Sequence, residues 1–158
     1  MVTPLEPREF FSGRWEGEGE LLPLPLLRWL IPRQTVRFSS HAGWLSDDVW
    51  IVKDRLEFAS GGASERTMFA QLVAPERIHV TADDMPLGAD ILLHQNGFRL
   101  TPYLIWTEYR GRRLRLKCFD DSVLAADGSI HDTIRMHWYG LPVATMRLHI
   151  RVHRGQRM

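Results

Sequence analysis

Phe10-Phe11-Ser12-Gly13-Arg14-Trp15-Glu16-Gly17-Glu18-Gly19-Glu20-Leu21 sets one indole among three glycines in an alternating run. In an extended chain Glu16, Glu18 and Glu20 share one face, and Trp15, Gly17, Gly19 and Leu21 share the other. Glycine weakens a strand, so glycines gathered on the Trp15 face indicate a sharp bend or the close approach of another backbone. Closed barrels need both. The stretch therefore reads as the first strand of a sheet that closes on itself.

Working outward, Leu21-Leu22-Pro23-Leu24-Pro25-Leu26-Leu27-Arg28-Trp29-Leu30-Ile31-Pro32 is strongly apolar and carries three prolines. Proline cannot donate to a ladder, so this is no central strand. The interval from Pro25 to Pro32 has room for about two helical turns. A short helix or apolar loop covering one end of the core is expected, with a lid over a cavity as the sharper reading.

From Gln34 onward the chain repeats short runs of β-branched and aromatic residues between turn signals. Thr35 to Ser40 precedes a turn at His41-Ala42-Gly43, and Trp44 to Val52 forms a ribbon through the kink Asp47-Asp48. Leu56 to Ala59 then meets Ser60-Gly61-Gly62. Arg66 to Val73, Ile78 to Ala82 and Ala89 to Gln95 follow, with Asp83-Asp84-Met85-Pro86-Leu87-Gly88 as a turn. Asn96-Gly97 is a type I′ hairpin signal, because both residues tolerate positive φ. Pro102 interrupts Phe98 to Thr107, placing that run at an edge or a bulge. Arg113 to Phe119, Ile130 to Tyr139 and Ala144 to His153 complete the series; the last alternates Met146, Leu148, Ile150 and Val152 against Arg147, His149, Arg151 and His153.

Roughly eight to eleven consecutive strands with short turns make an antiparallel meander, and such a sheet hides its edges most completely by closing. The expected fold is all-β, a single domain over residues 1–158, with the first strand paired to the last.

A formal charge of +1 excludes a strong overall field, so no nucleic-acid partner is expected. Basic residues other than Lys53 and Lys117 are arginine. The cluster Tyr109-Arg110-Gly111-Arg112-Arg113-Leu114-Arg115 reads as a solvated hairpin tip. Cys118 is single and falls in an alternating run, where it serves as a small buried apolar side chain. Met1 to Pro7 lacks a basic region followed by an apolar core, and no apolar run reaches the ~20 residues of a bilayer span. A cytoplasmic setting is expected.

The pairs Asp47-Asp48, Asp83-Asp84 and Asp120-Asp121 put adjacent carboxylates on opposite strand faces, so no pair forms a catalytic couple by itself, and turn or solvated roles are expected. Seven histidines show no metal-ligand spacing, and His131, His137, His149 and His153 fall on polar faces. No Gly-x-Ser-x-Gly elbow or phosphate loop is present. Six tryptophans, at 15, 29, 44, 50, 106 and 138, suit an apolar pocket as well as a core.

Gly13-Arg14-Trp15 near the start of an all-β chain resembles the Gly-x-Trp signature of lipocalins and their calycin relatives. That resemblance implies a barrel whose floor Trp15 closes, with an arginine of the last strand, Arg147 or Arg151, packed over the ring. The order of elements is similar to an uncharacterised bacterial lipocalin-like family often made as lipoproteins, through Gly13 to Gly19, Leu56-Glu57-Phe58 before Gly61, Arg66, and Met136 to Val143. The Trp-x-Gly-x-Gly opening also resembles the haem-binding nitrobindins, which implies a proximal histidine, His149 or His153. Together these imply a fatty acid or lipid-derived ligand in the barrel interior, touching Phe38, Trp44, Phe69, Met136, Trp138 and Trp29. The alternatives are a calycin-type isomerase, cyclase or hydratase, a haem carrier, and a ligand-free scaffold for a protein partner. No other cofactor, no metal and no catalytic residue is expected, and a homodimer stands beside the monomer.

Overall fold

The computed structural model describes residues 6–153. The expectation about export rests in part on Met1 to Leu5, which lie outside the described residues. The strands are β1 (Gly13–Pro23), β2 (Gln34–Trp44), β3 (Val49–Phe58), β4 (Ala63–Ala74), β5 (Arg77–Ala82), β6 (Met85–His94), β7 (Gly97–Leu100), β8 (Tyr103–Tyr109), β9 (Arg112–Leu124), β10 (Ile130–Trp138) and β11 (Leu141–His153). All pairings are antiparallel. β10, β11, β1, β2, β3, β4, β5, β6, β7 and β9 follow one another in the sheet, and the β9–β10 pairing closes it. β7 and β8 lie end to end along one edge of β9, divided at Thr101-Pro102, so the closed barrel has ten strand positions.

The first and last strands form the expected seam, with Trp15 opposite Val152 and Leu21 opposite Met146. The glycines of β1 serve this seam. A Cβ on Gly17 would stand 2.6 Å from the His149 carbonyl oxygen, and one on Gly19 would fall 2.7 Å from the Arg147 carbonyl carbon. Ordinary side chains at these positions would push β11 away.

Arg147 and Arg151 do not cover Trp15. They alternate with Met146, Leu148 and Ile150, all buried, and therefore stand exposed on the outer face opposite Glu20 and Glu16. The floor is closed instead by a short helix α1 (Pro7–Phe10), which the sequence reading did not anticipate. Its end carries Phe10 and Phe11 onto Trp15 at ring distances of 5.1 and 5.6 Å, and Phe11 also meets Phe98 at 5.4 Å. An arginine does lie over a tryptophan at this end, namely Arg8 over Trp44 at 5.2 Å.

After β1 the proline-rich insert forms only a 3-10 turn at Pro25–Leu27 rather than two helical turns. The Leu24 amide donates to the Val143 carbonyl, and the Tyr109 hydroxyl donates to the Leu30 carbonyl. The insert is thereby tied both to β11, beside β1, and to β8, four places round the ring from β1. No helix among the described residues is long and apolar enough to cross a membrane.

Candidate functional site

Strand periodicity decides what enters the barrel. On β3 the inward positions are Trp50, Val52, Asp54 and Leu56; on β9 they include Cys118, Asp120 and Ser122; on β10 they include Asp132, Ile134 and Met136. These residues line an internal cavity of about 200 Å³ above the aromatic floor of Phe11, Trp15, Trp50 and Phe98. Ser64, an exposed residue of β4, marks where it approaches solvent. The walls are mostly apolar, and a band of polar groups crosses them.

That band begins with Ser40, Asp54 and Arg66, which stand in register on β2, β3 and β4. Arg66 donates through Nε to one oxygen of Asp84 at 2.8 Å, and its Nη2 stands in ion-pair contact with the same oxygen at 2.8 Å. Tyr103 on β8 donates to Asp120 at 3.2 Å, and Ser122 donates to Asp132 at 2.8 Å. Asp120 and Asp132 are neighbours on the paired strands β9 and β10, both facing the cavity. Burial sets the acidities. It raises Asp54 to about 6, against the opposing pull of Ser40 and Arg66. It raises Asp120 far above the carboxylate range, reinforced by the charge of Asp132, and raises Asp132 as well. Desolvation and the neighbouring Asp120 likewise raise Tyr103.

Two oxygens in this band lack partners. Asp54 Oδ1 and Asp84 Oδ1 are buried and accept no hydrogen bond. Leaving such acceptors unmet costs about 1–3 kcal/mol each, so the arrangement does not serve stability alone. Among the described residues no group of three or more His, Cys, Asp or Glu is placed to hold a metal ion.

Cys118 faces the same interior, buried as expected. Desolvation pushes its thiol up to about 12, so thiolate is scarce at neutral pH. The native protein is expected to leave Ellman's reagent uncoloured at pH 8 and to release one equivalent of the coloured thiolate on denaturation. Rapid labelling of the folded protein would contradict this placement.

Of the residues expected to touch a ligand, Phe38 and Met136 line the cavity. Trp44 belongs to the floor, packed on Trp50 at 4.3 Å with its indole N–H donated to Ser12. Phe69 is an outward position of β4 and is 53 % exposed, because Met68 and Ala70 take the inward phase. Trp29, 78 % exposed, points away from the insert into solvent, and Trp138 stands at the rim, 41 % exposed. His149 and His153 share the outer phase of β11; His149 stacks on His131 at 4.7 Å and His153 approaches Glu16 at 3.3 Å. Neither faces the cavity, so neither is placed as a proximal ligand for a group held inside.

The polar band was missed for an identifiable reason. The sequence reading ended a ribbon at Val52 and resumed it at Leu56, yet β3 runs unbroken through Asp54. It likewise ended a strand at Phe119, whereas β9 continues through Asp120 to Leu124. The signal was present: Asp54 shares the phase of Trp50, Val52 and Leu56, and Asp132 shares that of Ile130, Ile134 and Met136. A carboxylate on the apolar phase of a strand is the mark of a buried acid.

No protein-family model matches the chain, and no curated protein sequence matches it either. Among solved structures it is similar to the S-type phycobiliprotein lyase of Guillardia theta, at 11 % identity and a TM-score of 0.62, over 97 % of this chain and 95 % of that one. The likeness is one of fold, and it supports a lipocalin- or calycin-like barrel.

Proposed function

We propose that the barrel binds a small, largely apolar molecule in its interior. The observation that carries this reading is the cavity of about 200 Å³ walled by Val52, Leu56, Met68, Ile105, Ile134 and Met136. Such a space suits a ring-sized compound, since an apolar cavity of about 150 Å³ holds benzene. The full-length likeness in fold to a phycobiliprotein lyase supports a barrel used as a container. A fatty acid, the ligand class implied by the lipocalin resemblance, is disfavoured, because its carboxylate would enter beside Asp54, Asp120 and Asp132. Neutral lipid-derived rings fit better.

The test is binding of indole, followed by saturation-transfer NMR. Wild-type protein is expected to bind it, and Ile105→Trp, whose larger side chain fills the cavity, to lose it. Equal binding by both proteins, or by neither, would remove the reading.

A second reading is acid–base chemistry on such a ligand. The neighbouring buried acids Asp120 and Asp132 and the cavity-facing Asp54 favour it, because carboxyl groups whose pKa burial raises suit proton transfer near neutral pH. Loss of ligand turnover with retained binding in Asp54→Asn is the outcome it requires.

A further inference from the structure

We propose that the cavity recognises a small protonated nitrogen base, a ring-sized amidine or amine whose cationic head pairs with Asp54. The proposal rests on the reading of the barrel as a container for a small apolar molecule and specifies that molecule's polar end.

Asp54 Oδ1 is enclosed by protein, belongs to a residue that lines the cavity, and has no hydrogen-bond partner. Asp84 Oδ1, beside Arg66 but outside the cavity lining, is a second buried oxygen without a partner. These two oxygens lack donors. The charge of the site is unbalanced in the same sense at neutral pH, since the carboxylates of Asp54 and Asp84 are met by one guanidinium, Arg66, which already serves Asp84. An anionic ligand would add to the repulsion, and a purely apolar one would leave the acceptors unmet. A flat cation with N–H donors supplies both charge and hydrogen bonds, and charge-assisted pairs of this kind are the stronger ones. The apolar walls then hold the ring, at a volume of about 200 Å³.

The charged and titratable groups facing Asp54 are Arg66 from β4, Asp84 from the β5–β6 turn, Tyr103 from β8, Cys118 and Asp120 from β9, and Asp132 from β10. Asp120 and Asp132 sharpen the attraction to a cation where they ionise, and Arg66 opposes it. Asp54 ionises at about 6, so the site carries its charge at neutral pH and loses it in mild acid.

Benzamidine, benzamide and benzoate share a ring and a planar head and differ in charge, which makes them the probes. Titration calorimetry at pH 7 is expected to show benzamidine binding at least about tenfold more tightly than benzamide, with benzoate not bound. Benzamidine affinity should fall about tenfold between pH 7 and pH 5 as Asp54 protonates. Asp54→Asn should weaken benzamidine by more than about tenfold and leave benzamide within about threefold. Asp47→Asn, at a surface carboxylate 96 % exposed, should change neither. Equal affinity for benzamidine and benzamide, or unchanged benzamidine binding in Asp54→Asn, would overturn the proposal while leaving the container reading intact. Failure of all three probes together with indole would overturn both.

Discussion

Replacing Gly19 by valine is expected to leave the protein largely unfolded at room temperature. A Cβ there would overlap the Arg147 carbonyl group and stand 2.9 Å from the Leu148 Cα, and both belong to backbone that no rotamer change can move. The contact lies at the seam where β1 pairs β11 over ten residue pairs, so relief requires opening the barrel. Loss of the seam exposes two strand edges and the interior face behind them. A cost of about 4 kcal/mol or more follows, comparable with the whole stability of many single domains. Urea denaturation followed by circular dichroism measures it. Gly43→Ala is the matched control, because a Cβ at Gly43 meets nothing within 4 Å, and its effect should stay within about 0.5 kcal/mol. A Gly19→Val protein as stable as the control would show that the strands can separate without loss of the fold.

Replacing Asp54 by asparagine is expected to act in the opposite direction and to depend on pH. Burial raises the Asp54 carboxyl from 3.8 to about 6. A group raised in this way contributes no penalty below pH 3.8, where both folded and unfolded chains hold the proton. Between 3.8 and about 6 the unfolded chain releases its proton first, and the folded state is progressively disfavoured. Above that window the penalty is complete, at about 3 kcal/mol. Asparagine keeps the shape and a hydrogen-bonding head without the charge. Asp54→Asn should therefore be about as stable as wild type at pH 4 and more stable by up to about 3 kcal/mol at pH 7.5. Paired denaturation curves across that range test it. A pH-independent difference would mean that Asp54 is not the desolvated acid described here, and a destabilised variant at pH 7.5 would mean that its charge is satisfied.

Stability gained at Asp54 with binding lost there would be the signature of a residue kept for function at the expense of the fold. Arg66 completes the logic. Burial alone would lower its pKa, and the neighbouring Asp84 with other anionic partners more than offsets this, so it remains cationic. It neutralises Asp84, on the β5–β6 turn, and leaves Asp54 facing the cavity.

Asn96-Gly97 predicts the two central turn residues; the turn falls instead on Gln95-Asn96, and Gly97 opens β7. Gly97 is required there because it has φ +144° and its missing Cβ makes room for the Ser122 carbonyl of β9. Glycine composition marked the right place, but the neighbour that demands it lies 25 residues downstream and could not be read locally. Pro102, by contrast, breaks β7 from β8 as expected, because a missing amide donor acts on its own strand.

The sequence by itself determined the architecture. Period-2 alternation, turn residues at short intervals and the glycines facing Trp15 are properties of neighbouring residues, and they specify an all-β meander that closes through its ends. Which side chains meet inside the barrel was decided only by the tertiary structure. Ser40, Asp54, Arg66, Tyr103, Asp120 and Asp132 come from β2, β3, β4, β8, β9 and β10, and they form one site because ring closure brings them to a common depth. The covering of Trp15 by Phe10 and Phe11 was settled in the same way. An acid in an alternating run looks solvated until the closed sheet shows that its face is the inside.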